Sequence, residues 1–177
     1  MHNEETFPRL VEAHYAALYR FALSLSKRPA DAADLTQQTY FAWAKHGNAL
    51  RDTAKAKTWL FTTLYREFLR TRRRALRFSS FEEMSPFDRD PPDLGPDVSA
   101  RMDVELVLAT LQNVDRVFRE ALTLFYLQGF SCLEIAEILS VPLGTVSTRL
   151  FRGKRQLRAL IERATASSAA SPAVTCA

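Results

Sequence analysis

Residues 86–96 constrain the fold of this chain more than any other stretch. They hold Pro86, Pro91, Pro92 and Pro96, half of the eight prolines, among Asp88, Asp90, Asp93 and Gly95, with Asp97 just beyond. Proline fixes φ and removes a backbone donor, and clustered carboxylates repel one another, so neither a helix nor a sheet interior can run through here. An extended linker is expected over about 79–101. It divides the 177 residues into two blocks, each the size of one small domain.

Both blocks carry a helical period. In the first, Phe7, Leu10, Val11, His14, Leu18, Phe21, Ala22 and Leu25 recur at three- and four-residue steps. Pro29 interrupts this helix. A second is predicted over about 30–45, with Ala32, Leu35, Thr39, Ala42 and Trp43 inward, and Gly47-Asn48 ends it. A third, over about 56–76, buries Leu60, Phe61, Leu64 and Phe68, and Trp43, Trp59, Tyr65 and Phe68 read first as bundle core. The second block offers a short helix through Val104, Val107, Leu108 and Leu111, then one from Val117 to Phe125 closed by Gly129. No Asn-Gly or Asp-Gly hairpin signal occurs, and five glycines stand against twelve phenylalanines. The expected fold is all-α: two small helical domains, 1–78 and 102–163, joined by a flexible acidic linker. The tail 164–177 is small and polar and is expected to be disordered.

Charge follows the same division. Residues 1–78 hold 14 basic and 7 acidic side chains, residues 79–105 hold 2 and 8, and residues 106–177 hold 8 and 5, giving the net +4. Two basic blocks flank an acidic strap, a pattern that suits two surfaces for one polyanion. Other classes recede. Two cysteines and three scattered histidines make no zinc spacing, so no metal or other cofactor is expected. No apolar run approaches the ~18 residues of a membrane span, and the acidic start Met1-His2-Asn3-Glu4-Glu5 is unlike a signal peptide. A cytoplasmic protein without a membrane partner is expected. No nucleophile–base pair, phosphate-binding glycine loop or paired carboxylates emerge, so an enzyme is not.

Residues 131–152 are the most informative. Ser131-Cys132-Leu133-Glu134 is a capping box, in which Ser131 accepts from the Glu134 amide and the Glu134 carboxylate reaches back. A helix of about nine residues, a turn at Ser140-Val141, Pro142 and a longer basic helix follow, which is helix-turn-helix order. The second helix would enter a major groove. Gly144 and Thr145 would offer backbone amides to a phosphate, while Ser147, Thr148, Phe151 and Arg152 would reach base edges. Arg149, Lys154, Arg155 and Arg158 would meet phosphates. Gly153 lowers helix propensity there by up to ~1 kcal/mol.

The first block has its own basic stripe, Arg66, Arg70, Arg73, Arg74 and Arg77, with Lys45, Arg51, Lys55 and Lys57 around the preceding loop and Trp59 at its edge. Basic residues interleaved with rings suit single-stranded or distorted nucleic acid. Asp31, Asp34, Gln37 and Gln38 form a different stripe on the second helix, acidic or uncharged, and fit a protein partner. A stand-alone helix-turn-helix regulator binding DNA as a dimer is one reading of such a chain.

Asp34-Leu35-Thr36-Gln37-Gln38-Thr39-Tyr40 followed by Thr58-Trp59-Leu60-Phe61-Thr62-Thr63 resembles the core of sigma region 2. Ser131 to Arg155, with Ile135-Ala136-Glu137-Ile138-Leu139 and Gly144-Thr145-Val146, resembles sigma region 4. Together they resemble the extracytoplasmic-function (ECF) group of bacterial RNA polymerase sigma factors. The resemblance implies that Asp31, Asp34, Gln37 and Gln38 dock on the clamp coiled coil of the polymerase beta-prime subunit. It implies that the 46–57 loop and the start of the next helix capture a flipped base of the minus-ten element, with Arg51, Lys55, Lys57, Trp59, Arg66, Arg70 and Arg73 on that DNA. It further implies that Gly144, Thr145, Ser147, Thr148, Arg149, Phe151, Arg152 and Arg155 face the minus-thirty-five element, that region 4 sits on the beta flap, and that an anti-sigma factor holds the protein in check.

Overall fold

The computed structural model describes residues 6–47, 55–79, 107 and 109–169. All regular structure among them is helical. The acidic stretch 80–100 and residues 170–177 lie outside the described residues, as do Arg51 and its neighbours in 48–54.

Helix α1 spans Thr6–Ser26 and α2 spans Pro29–His46. Pro29 does two jobs there. It stops α1 and occupies the first turn of α2, where its missing amide has no partner to lose. The buried side of α2 includes Thr36 and Thr39, whose hydroxyls donate to the carbonyls of Ala32 and Leu35 at 2.8 and 2.7 Å. Back-bonding of this kind lets a threonine enter a core with no polar group left unsatisfied. At the end of α2, Gly47 caps the helix by donating to the Trp43 carbonyl, and a Cβ on Gly47 would stand 2.6 Å from the Trp43 ring. Helix α3, Ala56–Ser79, completes the three-helix unit, with Phe21 against Phe61 (centroids 5.4 Å apart) and Trp43 edge-on to Trp59 (5.1 Å).

The second block opens with a buried arginine. Arg119 is 3% exposed and donates to the carbonyls of Gln112 at 2.7 Å and Val114 at 3.1 Å, pinning the turn that precedes α4 (Arg116–Leu122). Helix α4 does not stop at Leu122 but widens into a π-helical turn over Thr123–Leu127. Gly129, at φ +69°, reverses the chain in a conformation other residues adopt at a cost, and Phe130 thereby swings into the core. Helix α5, Cys132–Leu139, begins with the expected capping box: the Ser131 hydroxyl accepts from the Glu134 amide at 3.3 Å, and Glu134 Oε2 accepts from the Ser131 amide at 2.8 Å. Ser140 ends α5 in the left-handed region, and α6 runs over Leu143–Ala169.

Two expectations are corrected. The chain stays helical through 164–169, within the segment expected to be disordered. Alanine favours the helix, the Thr165 hydroxyl donates back to the Ile161 carbonyl at 3.0 Å, and Arg158 pairs with Glu162 one turn earlier at 2.9 Å. Gly153, read only as a weak point in the helix, is a crossing point. A Cβ there would stand 3.0 Å from the Phe118 Cβ and from Leu122 Cδ1, so its bareness lets α6 lie close on α4.

The two blocks also touch. One apolar core runs from Phe21, Leu60 and Phe61 of the first block into Phe130, Ile135, Ile138 and Val146 of the second. The Phe61 and Phe130 rings meet edge to face at 4.9 Å.

Candidate nucleic-acid and protein interfaces

Three surfaces emerge from this framework. The first lies on α2, where Asp31, Asp34, Gln37 and Gln38 are all exposed, opposite the buried Ala32, Leu35, Thr36 and Thr39. Phe41 continues the stripe at 61% exposure, with Lys45 Nζ 4.4 Å above its ring. Sequence reasoning missed Phe41. Its signal was the spacing, three residues beyond Gln38 and seven beyond Asp34.

The second surface is α3 and its approach. Lys55 is exposed just before the helix, and Arg66, Arg70 and Arg73 are exposed along it, Arg70 bridging to Glu67 at 2.6 Å. Trp59 does not stand free: it is half-buried against Trp43, the core reading. Lys57 is half-buried as well. Its ammonium donates to the Gln128 carbonyl at 2.6 Å and sits 4.5 Å above the Phe130 ring.

The third surface is the start of α6. Ser147, Thr148, Phe151, Arg152 and Arg155 are exposed together, and Gly144 is open to solvent. The Ser147 and Thr148 hydroxyls donate to the carbonyls of Leu143 at 3.3 Å and Gly144 at 2.9 Å. With the hydroxyl proton so engaged, the outward oxygen acts as an acceptor, matching the amino groups of adenine or cytosine. The Thr145 amide already donates to the Pro142 carbonyl at 2.9 Å, so it does not await a phosphate as expected. Arg149 also departs from its expected place. It is half-buried, with Nη1 out of solvent, and its charge acts on Tyr65 and Glu120 inside the protein. A groove of about 350 Å³ between α4 and α6, lined by Val117, Phe118, Gly144, Thr145, Thr148, Arg149 and Arg152, runs beside this surface.

Behind α6 lies a buried polar cluster. Glu120, 1% exposed, accepts from the Tyr65 hydroxyl at 3.0 Å and has Arg116 at 3.6 Å. Burial raises the Glu120 carboxyl above its ordinary value despite these partners, and burial with the nearby Glu120 charge raises the Tyr65 phenol. Glu134 moves the other way, lowered by its hydrogen bonds from the Ser131 hydroxyl and amide. Among the described residues no group of histidine, cysteine and carboxylate side chains is placed to hold a metal ion, and no helix is long and apolar enough to cross a membrane.

Residues 10–78 match Sigma-70 region 2 and residues 105–157 match Sigma-70 region 4. The ECF RNA polymerase sigma factor SigL of Mycobacterium tuberculosis is 32% identical over 155 residues, spanning 86% of this chain and 87% of its own. The chain belongs to the ECF sigma factors of bacterial RNA polymerase. The ECF sigma factor SigE of Mycolicibacterium smegmatis is 33% identical across 94% of this sigma factor and 65% of its own length. Among solved structures, the sigma factor RpoE in complex with the anti-sigma factor NepR from Bartonella quintana superposes with a TM-score of 0.68 at 27% identity, over 89% of this sigma factor and 98% of that chain. CnrH in complex with the cytosolic domain of CnrY gives 0.63 at 25% identity, over 92% and 91%. This sigma factor therefore directs core RNA polymerase to promoters, and its two basic blocks are regions 2 and 4.

Proposed function

We propose the following division of labour within this sigma factor. The exposed α2 stripe, Asp31, Asp34, Gln37 and Gln38 extended by Phe41, docks on the clamp coiled coil of the beta-prime subunit. Arg51, Lys55 and Lys57 with Arg66, Arg70 and Arg73 bind the minus-ten element as melted strand, with Trp59 at the edge of the site as part of its wall. The start of α6 reads the minus-thirty-five element as duplex through Ser147, Thr148, Phe151 and Arg152, while Gly144 and Arg155 face its backbone and Arg149 braces the helix from behind. Region 4 rides on the beta flap. The protein works in the cytoplasm and does no chemistry of its own. Residues 1–78 and 102–163 act as the two promoter-binding units, tied by the acidic strap 79–101. An anti-sigma factor is a further partner, in keeping with the bound state of the two solved relatives.

The observation that carries this reading is the presence on one chain of two separate exposed basic surfaces, at α3 and α6, beside an uncharged-to-acidic stripe on α2. A dimeric regulator needs only one DNA surface per protomer. Run-off transcription with purified core polymerase on genomic fragments tests it. Discrete transcripts that require this protein are expected; tight binding of the free protein to palindromic duplex, with no effect on the polymerase, would overturn it.

A further inference from the structure

Leu143, Ser147 and Phe151 follow one another along α6 at steps of four residues, and so form one row. Leu143 is 45% exposed and Phe151 61%, two large apolar side chains on a side of the helix that also exposes Thr148, Arg152, Lys154, Arg155 and Arg158. Two turns of helix set them about 12 Å apart along the axis. The backbone here comes close to whatever it faces, because open space surrounds the point where a Cβ on Gly144 would stand. Between the two apolar groups the Ser147 hydroxyl donates to the Leu143 carbonyl at 3.3 Å, and beside it Thr148 donates to the Gly144 carbonyl at 2.9 Å. Both hydroxyls therefore face outward as acceptors. We infer that Leu143 is a further specificity residue of this sigma factor: with Phe151 it seats thymine methyl groups of the minus-thirty-five element, on either side of bases that offer an amino group to Ser147 and Thr148.

The base edges decide this. In the major groove only thymine presents a methyl group, adenine and cytosine present an amino donor, and guanine presents N7 and O6, both acceptors. An apolar side chain gains by covering a methyl and loses by stripping water from N7 or O6 with no hydrogen bond in return. A hydroxyl oxygen whose proton is engaged repels the same two atoms. Guanine therefore falls to Arg152, the guanidinium next to the row. The exposed Lys154, Arg155 and Arg158 draw the phosphate backbone onto this side of α6, and that attraction is what brings leucine and phenylalanine against base edges. The inference rests on the assignment of α6 to the minus-thirty-five element.

Replacing thymine by uracil tests this without touching the protein, because it deletes the methyl group and keeps the base pair. Holoenzyme assembled with core polymerase first selects its preferred minus-thirty-five sequence from a randomised promoter library. Thymines at two positions roughly three to four base pairs apart, on either strand, are expected from the spacing of Leu143 and Phe151. Uracil at either position should weaken promoter binding by the wild type about fourfold, the gain from burying one carbon group. Leu143→Ala should lose that sensitivity at one position and Phe151→Ala at the other. Alanine suits both helical positions, so α6 stays folded, which circular dichroism checks. A selected element without such thymines, uracil without effect on the wild type, or an equal uracil effect in wild type and Leu143→Ala would overturn the inference. If Arg152→Ala then still relaxes one base pair, only the methyl contacts have failed. If no α6 variant alters the preference, the assignment of α6 to this element falls with them.

Discussion

Tyr65 and Glu120 lie 55 positions apart in the chain, and the Tyr65 hydroxyl donates to Glu120 Oε2 at 3.0 Å in the protein interior. One belongs to region 2 and the other to region 4, so this bond joins the two promoter-binding units. It also places a carboxyl where burial works against its charge.

That placement sets a pH dependence. The Glu120 carboxyl is raised above its ordinary value of 4.5, by burial first of all. The unfolded chain therefore loses this proton before the folded one does. The cost of keeping Glu120 charged in the fold is absent below about pH 4.5 and grows as pH rises through the raised folded value. Glu120→Gln keeps an acceptor for Tyr65 without the charge, so its stability relative to wild type should climb between pH 5 and pH 8. Urea melts of both proteins at the two pH values measure this, and a constant difference would rule out burial as the governing cause.

Gly153→Ala pits two effects against each other. Alanine improves helix propensity by up to ~1 kcal/mol, but its Cβ would meet the Phe118 Cβ at 3.0 Å, and that backbone-anchored atom cannot swing aside. Overpacking of this kind costs ~1–3 kcal/mol. Net destabilisation is expected in thermal melts, and a raised melting temperature would show that α4 and α6 separate easily.

Arg152 and Arg149 should separate readout from support. Arg152 is exposed beside the Ser147 and Thr148 hydroxyls, and Arg152→Ala should cost ~1–3 kcal/mol of promoter binding and relax preference at one base pair. Arg149 is half-buried, and Arg149→Ala should lower stability while leaving the sequence preference in place. Transcription from a promoter library with each minus-thirty-five position varied distinguishes the two. A uniform loss across the library for Arg152→Ala would make it a phosphate contact.

On α2, changing Asp34 and Gln37 together to Lys should abolish binding to core polymerase with the melting temperature nearly unchanged, because both side chains are exposed. Phe41→Ala should weaken core binding in the same assay. Core affinity equal to wild type in the double variant would move the polymerase surface elsewhere.

Much of this was legible before any coordinates. The period of Leu18, Phe21, Ala22 and Leu25, the capping box at Ser131 and Glu134, and the exposed Asp34–Gln38 stripe are local facts, readable within one or two helical turns. Arg149 was misplaced although the signal existed: it lies three residues after the buried Val146 and four before the buried Gly153, the inward spacing of its helix. Phe41 was passed over, although its place three residues beyond Gln38 puts it on the exposed side of α2.

The sequence alone therefore determined that the chain is helical, which helix faces are apolar and which sides carry charge, because each depends on neighbours a few residues away. Which surface covers the face of Lys57, Phe61, Tyr65 and Phe68 was decided by tertiary structure. Periodicity marks a face as apolar but does not name its occupant, and the pairing of Phe61 with Phe130 or Tyr65 with Glu120 depends on how two separately readable units pack in three dimensions.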